Sequence, residues 1–222
     1  MQIEIKDIYK SYGKKEVLRG VSLSLHDGQC VGILGANGSG KSTLLSILAG
    51  VLRADSGSFL ADGEDMLLSK KLHQRNVGYV PQGTPLLEEL TARDNMRLWY
   101  SAGQIKEELV SGVPTILGVG DFIDTTVSKM SGGMKKRLSI ACAVASHPRL
   151  ILLDEPTAAL DVACKQNITE YLKKHKAAGG MLILATHDPL ELALCDKCYI
   201  IKNGVAEPYV FDGDIEKLAK SI

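Results

Sequence analysis

No apolar run in this 222-residue sequence approaches the roughly 20 residues that a membrane-spanning helix needs. Any membrane role must therefore come through a partner. Net charge is missing too. The 26 Lys and Arg residues balance the 26 Asp and Glu residues, whereas a chain that holds duplex nucleic acid is more often basic overall. Nucleic acid is not the expected partner. Cysteine is sparse and odd in number: Cys30, Cys142, Cys164, Cys195 and Cys198 lie scattered through apolar segments, as reduced thiols in a reducing compartment do. Cys195-Asp196-Lys197-Cys198 has C-x-x-C spacing, but no second pair and no histidine cluster accompany it, so it reads as structural rather than metal-binding or redox-active. Internal repeats, low-complexity tracts and long linkers are absent. The start, Met1-Gln2-Ile3-Glu4-Ile5-Lys6-Asp7, alternates apolar and charged residues and reads as a strand rather than a signal peptide. The expectation is a cytosolic chain, long enough for one large α/β domain.

What is present is concentrated first in Gly35-Ala36-Asn37-Gly38-Ser39-Gly40-Lys41-Ser42-Thr43, which fits the phosphate-loop pattern G-x-x-x-x-G-K-[ST] at every fixed position. Before it, Cys30-Val31-Gly32-Ile33-Leu34 reads as a buried strand; after it, Leu44, Leu45, Ile47 and Leu48 recur at helical spacing. Strand, glycine loop and helix is the context this motif requires. Glycines let successive backbone N–H groups converge on one anion, and the following helix adds the positive end of its dipole. Lys41 is placed to reach the β- and γ-phosphates of a nucleotide, and the Ser42 hydroxyl to ligate Mg²⁺.

Further strands are expected at 2–6, 17–25, 57–61 and 77–80, with the loop helix running to about residue 49 and Gly50 as its cap. Between 82 and 147 the pattern turns helical, with helices at 92–101, 105–117 and 135–146. Strand and helix then alternate: strands at 150–153, 181–185 and 197–202, helices at 163–177, 189–194 and 215–220, and a hairpin turn at Asn203-Gly204. This predicts one nucleotide-binding domain whose core spans 1–81 and 148–222, interrupted by a helical insert over 82–147.

Leu150-Ile151-Leu152-Leu153 is a strand apolar on both faces, and it ends in Asp154-Glu155-Pro156. Ligands of open parallel sheets bind beyond the carboxyl ends of the strands, so Asp154 is expected near the phosphate loop as a hard-oxygen ligand of Mg²⁺. Glu155 is expected to orient or deprotonate an attacking water. Two acids opening a surface loop are the plain alternative. The 181–185 strand leads into Thr186-His187-Asp188. From the residues alone, His187 reads as an ordinary half-exposed histidine, with donation to a γ-phosphate as the alternative.

Together these residues resemble the ATP-binding subunits of ABC transporters over essentially the whole chain. Gly35 to Thr43 resembles Walker A, and Leu150 to Asp154 resembles Walker B, with Glu155 as catalytic glutamate. Tyr79-Val80-Pro81-Gln82 is similar to the Q-loop, Ser131-Gly132-Gly133-Met134 to the signature motif, Ala158-Ala159-Leu160-Asp161 to the D-loop, and His187 to the switch histidine. The resemblance implies an α/β fold: a P-loop NTPase core of ABC ATPase type, with an N-terminal antiparallel β subdomain and a helical insert. It implies ATP and Mg²⁺ as cofactors, with Tyr12 stacking on adenine, and with Ser42, Gln82 and Asp154 as metal ligands. No guanine-reading N-K-x-D element is present. Two ATPase subunits, identical or not, would pair head to tail, each offering Ser131, Gly132 and Gly133 to the other's ATP, with Asp161 at the interface. The Gln82 loop, with Trp99 and Tyr100, would dock a membrane-spanning subunit, which puts the protein in the cytoplasm, peripheral on the inner face of the cell membrane. Plain packing inside the insert is the other reading of Trp99.

Two positions depart from the family pattern. Met130 and Met134 stand where leucine and glutamine are usual. Met134 removes an amide that could hydrogen-bond ATP, while the main γ-phosphate donors survive. Methionine there is similar to a bacterial branch rich in exporters, which favours export over import. An ABC ATPase without transport, serving iron–sulfur assembly, ribosomes or envelope remodelling, is the alternative function.

Overall fold

The computed structural model describes residues 1–221. In chain order its elements are β1 (Gln2–Tyr12), β2 (Lys15–His26), β3 (Cys30–Leu34), α1 (Lys41–Leu48), β4 (Ser56–Ala61), β5 (Glu64–Asp65), α2 (Lys70–Asn76) and β6 (Val77–Val80). The helical stretch follows as α3 (Ala92–Met96), α4 (Ala102–Ser111), α5 (Val113–Ile116) and α6 (Gly132–Ala143). The chain then continues through β7 (Leu150–Asp154), α7 (Val162–Ala177), β8 (Met181–Ala185), α8 (Pro189–Leu192), β9 (Lys197–Lys202), β10 (Val205–Tyr209) and α9 (Ile215–Ser221).

Two sheets organise these elements. The first has the order β2-β1-β4-β5 with antiparallel pairing throughout. It is the expected N-terminal β subdomain. Its strands alternate, with Ile3, Ile5, Leu23 and Leu25 turned to the core. A bulge at Asp7 (φ 50°) bends β1, and Gly57 (φ 106°) sits so close that a Cβ there would lie 2.4 Å from the Asp7 carbonyl oxygen.

The second sheet has the order β10-β9-β3-β8-β7-β6 and is parallel except for its β10 edge. Every residue of β3, β7 and β8 is buried, as in sheets covered on both faces. The two-residue period sorts their side chains between two cores. Leu150 and Leu152 join Ile33, Leu44, Ile47 and Phe59 on the α1 face, whereas Ile151 and Leu153 join Ile105, Leu138, Ile168 and Leu172 on the helical face. Because β3, β6, β7 and β8 run parallel, the residues that follow them emerge along one edge. That edge carries the Gly35 loop, Pro81-Gln82, Asp154-Glu155 and Thr186-His187.

The hairpin turn forms as expected, with Asn203 and Gly204 both at positive φ (51° and 80°), the geometry a two-residue turn of this hand requires. The helical region departs from expectation. The 92–101 helix ends at Met96, and Ser101 instead starts α4 through a capping box with Gln104. The 105–117 helix breaks at Gly112, because Pro114 enters at the start of α5, where its missing N–H costs nothing. The 135–146 helix begins earlier, at Gly132, with the Ser131 hydroxyl accepting from the Met134 N–H at 3.2 Å. The helix expected to 194 ends at Leu192. Tyr100 is also not a docking residue: it is buried, and its hydroxyl donates to the Ala141 carbonyl at 2.7 Å.

Candidate functional site

The loop after β3 is shaped by backbone that only glycine adopts easily. Gly38 (φ 77°) and Gly40 (φ 112°) lie in the left-handed region, and Gly35 (φ 143°) packs so tightly that a Cβ would stand 2.7 Å from both the Ile201 carbonyl oxygen and Ser39 Oγ. Gly40 precedes the first turn of α1, whose Leu44 N–H donates to the Gly40 carbonyl at 2.8 Å. Four apolar side chains of α1, Leu44, Leu45, Ile47 and Leu48, are fully buried. Their burial fixes the helix N-terminus against the sheet edge, so the start of α1 is held by packing rather than by the loop itself.

Lys41 is 8% exposed, and its Nζ donates to the carbonyls of Gly35 at 2.7 Å and Ala36 at 3.1 Å. Burial pulls the ammonium pKa below its ordinary value, while Glu155 and Asp154 hold it up. Asp154 is 3% exposed at the end of β7. Burial pushes its carboxyl above the usual range, Glu155 adds to the rise, and the Ser42 hydroxyl, Lys41 and Lys136 oppose it. Ser39 Oγ is buried with no hydrogen-bond partner among the described residues.

Glu155 is the strained residue of the site. It lies at positive φ (47°) directly after β7, pinned by its N–H donating to the Ala185 carbonyl at 2.8 Å. A side chain held in that region costs on the order of 1 kcal/mol or more. The strain turns its carboxylate toward the neighbouring loops, where it accepts from Gln82 Nε2 at 3.2 Å and lies 3.5 Å from His187 Nδ1. Glutamate, glutamine and histidine from the ends of three parallel strands thus meet at one point.

A cavity of about 470 Å³ joins these parts, lined by Tyr12, Asn37, Gly38, Gly40, Lys41, Ser42, Thr43, Gln82, Asp154 and Glu155, together with Lys15 and Val17. Tyr12 is 51% exposed at its rim. Lys15 and Val17 escaped the sequence reading. They reach the cavity because β2 folds back after the Gly13 turn, and the Val17 side chain and carbonyl pack on Gly40. Among the described residues there is no cluster of three or more His, Cys, Asp or Glu able to hold a metal alone. What the cavity does bring together is the Asp154 carboxylate, the Ser42 hydroxyl and the Gln82 amide, oxygen groups that could hold a small hard cation.

The remaining candidates lie elsewhere in the chain. Ser131, Gly132 and Gly133 do not line the cavity; Ser131 and Gly132 are exposed at the start of α6. Asp161 caps α7 by accepting from the Cys164 N–H at 2.9 Å, which holds its carboxyl below the usual carboxylate range. The Cys195 and Cys198 thiols are inside: Cys195 Sγ lies 3.6 Å from Cys30 Sγ, and a Cβ on Gly32 would touch both Cys195 and Cys198. The Cys198 contact pulls the Cys195 thiol down, but its Cys30 contact and burial push it above the ordinary cysteine value.

A second cavity of about 930 Å³ opens beside the Q-loop-like turn, lined in part by Val51, His73, Tyr79, Leu86, Trp99 and Gln104. Val51 and Trp99 are 73% and 65% exposed there, so Trp99 is a surface residue rather than packing within the insert. No helix among the described residues is long and apolar enough to cross a membrane.

The chain is 36% identical over 207 residues to the Nod factor export ATP-binding protein I of Sinorhizobium fredii, covering 91% of this chain and 60% of the relative. It is 34% identical over 226 residues to the bacitracin export ATP-binding protein BceA of Halalkalibacterium halodurans, covering 96% and 89%. A probable sulfate/thiosulfate import ATP-binding protein of Chlorella vulgaris is 34% identical over 210 residues, covering 92% of this chain and 89% of the relative. The fold is similar to a dimeric ATP-binding cassette in a post-hydrolysis state bound to ADP and Pi (TM-score 0.81, 27% identity, 92% and 96% covered). A family model described as ABC transporter matches residues 18–158, and the chain belongs to that family.

Proposed function

We propose that this chain is the ATP-hydrolysing subunit of an ABC transporter, acting as a dimer to drive a separate membrane-spanning subunit, with export favoured over import. The observation that carries the reading is a division of parts. Lys41, Ser42, Gln82, Asp154 and Glu155 share one cavity, while Ser131, Gly132 and Gly133 do not line it, and Ser131 and Gly132 are exposed at the start of α6. A second copy, or a similar subunit, placed head to tail would bring its Ser131 hydroxyl and the N–H groups at the start of α6 to the terminal phosphate.

Each residue then has a task. The loop N–H groups and Lys41 bind the β- and γ-phosphates, and Tyr12 stacks on the base. Ser42, Asp154 and Gln82 would hold Mg²⁺, which when bound supplies positive charge to the phosphate oxygens. Glu155 takes a proton from the attacking water, and His187 beside it donates to the γ-phosphate. Asp161 lies at the subunit interface. The apolar groove with Trp99 receives the membrane subunit, so residues 82–147 act as the unit that carries nucleotide state to the partner and the protein sits peripherally on the inner face of the membrane. The relatives named as export proteins, and Met134 in the signature, support export.

The test is ATP hydrolysis against protein concentration. Specific activity should rise with concentration until the dimer saturates, and a multi-span membrane protein should co-purify with the native chain. Specific activity independent of concentration, with monomers only in ATP, overturns the reading.

A further inference from the structure

Lys136 is a charged side chain near the site that the roles above leave without a task. It lies on α6, one helical turn and a half beyond Ser131, and is 5% exposed. Its Nζ donates to the Pro81 carbonyl at 2.8 Å and the Gln82 carbonyl at 3.2 Å. Both acceptors belong to the turn that leaves β6, and the Gln82 side chain in that turn donates to Glu155 at 3.2 Å. Burial pulls the Lys136 ammonium below its ordinary pKa, while the charges of Asp154, Glu191 and Glu155 hold it up. A charge buried to this degree is costly unless it is paired and hydrogen-bonded. Here the pairing is spent on a loop backbone rather than on a neighbouring core group.

We infer that Lys136 is a positioning residue, whose ammonium fastens the Pro81-Gln82 turn to α6 so that the Gln82 amide and the start of α6 at Ser131 move as one body. The helix between residues 131 and 136 is rigid on this scale, spanning about 7.5 Å at 1.5 Å per residue. A displacement of its N-terminal end, where a second subunit would bind, is passed through two hydrogen bonds to the glutamine at the phosphate cavity. Lys136 lines no part of that cavity, so it acts on turnover and leaves nucleotide affinity alone. The inference rests on the role proposed for Gln82.

A mutant cycle on the full chain tests it, with kcat and KM for ATP measured for the parent, Lys136→Met, Gln82→Ala and the double variant. Lys136→Met should lower kcat on the order of tenfold to a hundredfold, the scale of a misplaced catalytic group, with KM unchanged. Gln82→Ala should lower kcat comparably, and the double variant should fall no further than Gln82→Ala alone, because both changes cut one chain of contacts. A merely structural lysine would instead multiply its effect onto that of Gln82→Ala. Should Lys136→Met fail to fold, Lys136→Gln carries the same cycle with the same expectation. If Gln82→Ala leaves kcat at the parental value, the Gln82 role fails and the inference falls with it. If Gln82→Ala lowers kcat while the lysine variants match the parent or multiply fully, the inference alone is overturned.

Discussion

Glu155→Gln changes one atom type at the point where three strand ends converge. The amide has the shape of the carboxylate, so the positive-φ backbone, the N–H bond to Ala185 and the approach of Gln82 at 3.2 Å are retained. Only the proton acceptor disappears. General base help is typically worth ~10²–10⁴ in rate, and at about 1.4 kcal/mol per tenfold that is about 3–5 kcal/mol of barrier. The ground state should gain slightly. Glu155 is a negative charge beside Lys41 and the proposed phosphate position, and its removal relieves repulsion with bound ATP. The variant should therefore bind ATP at least as tightly as the parent, release phosphate a hundredfold or more slowly, and accumulate an ATP-bound dimer. Single-turnover phosphate release and light scattering after gel filtration in ATP read these two quantities. Phosphate release at the parental rate would remove Glu155 from the chemistry and leave its strain without a purpose.

Three further outcomes follow from the same geometry. Lys41→Ala deletes the charge proposed to pair with the phosphates, worth about 1.5–3 kcal/mol, so ATP affinity by calorimetry should fall on the order of tenfold to a hundredfold; unchanged affinity would refute the loop assignment. Ser131→Arg should leave ATP binding to the single subunit intact but abolish hydrolysis, and loss of the α6 cap should cost about 1 kcal/mol, or roughly 2–4 °C in the melting temperature; parental hydrolysis would contradict a shared site. Glu191 is 1% exposed, and burial pushes its carboxyl above the usual glutamate value, with the Thr157 and Thr186 hydroxyls opposing the rise. A carboxyl raised on folding favours the folded state only while protonated, and that contribution is lost as pH rises through the folded-state pKa. Glu191→Gln should thus raise the melting temperature at pH 8 by about 2–4 °C for each kcal/mol recovered, with the gain vanishing below the ordinary glutamate pKa; a pH-independent gain would refute the burial argument.

The sequence is legible where a residue's local task matches its local pattern. The phosphate loop, both strand-end acids and the Asn203-Gly204 turn are demanded by backbone conformations or by two-sided burial that show in a few consecutive residues. The helical region was less legible. Pro114 was in plain view as a break in the 105–117 helix, yet the apolar spacing across it masked the stop. Helix α2 buries no residue fully, so it left no periodic signature to detect. Tyr100, adjacent to exposed Trp99, is indistinguishable from it by composition; which of the two meets solvent depends on the short α3 and the turn after it.

What the chain alone determined, then, is the chemistry on offer: an anion-binding glycine loop, a lysine, and hard oxygen donors at strand ends, each set by side-chain type and spacing of a few residues. Only the tertiary structure decided which of these meet. Parallel pairing of β3, β8, β7 and β6 brings residues 35, 186, 154 and 81 to one edge, and packing of α6 on that sheet carries Lys136 beneath Gln82 while leaving Ser131 outside the cavity. Such juxtapositions join residues dozens to more than a hundred positions apart, and no local pattern encodes them, because they follow from the strand order and from which helix faces the core.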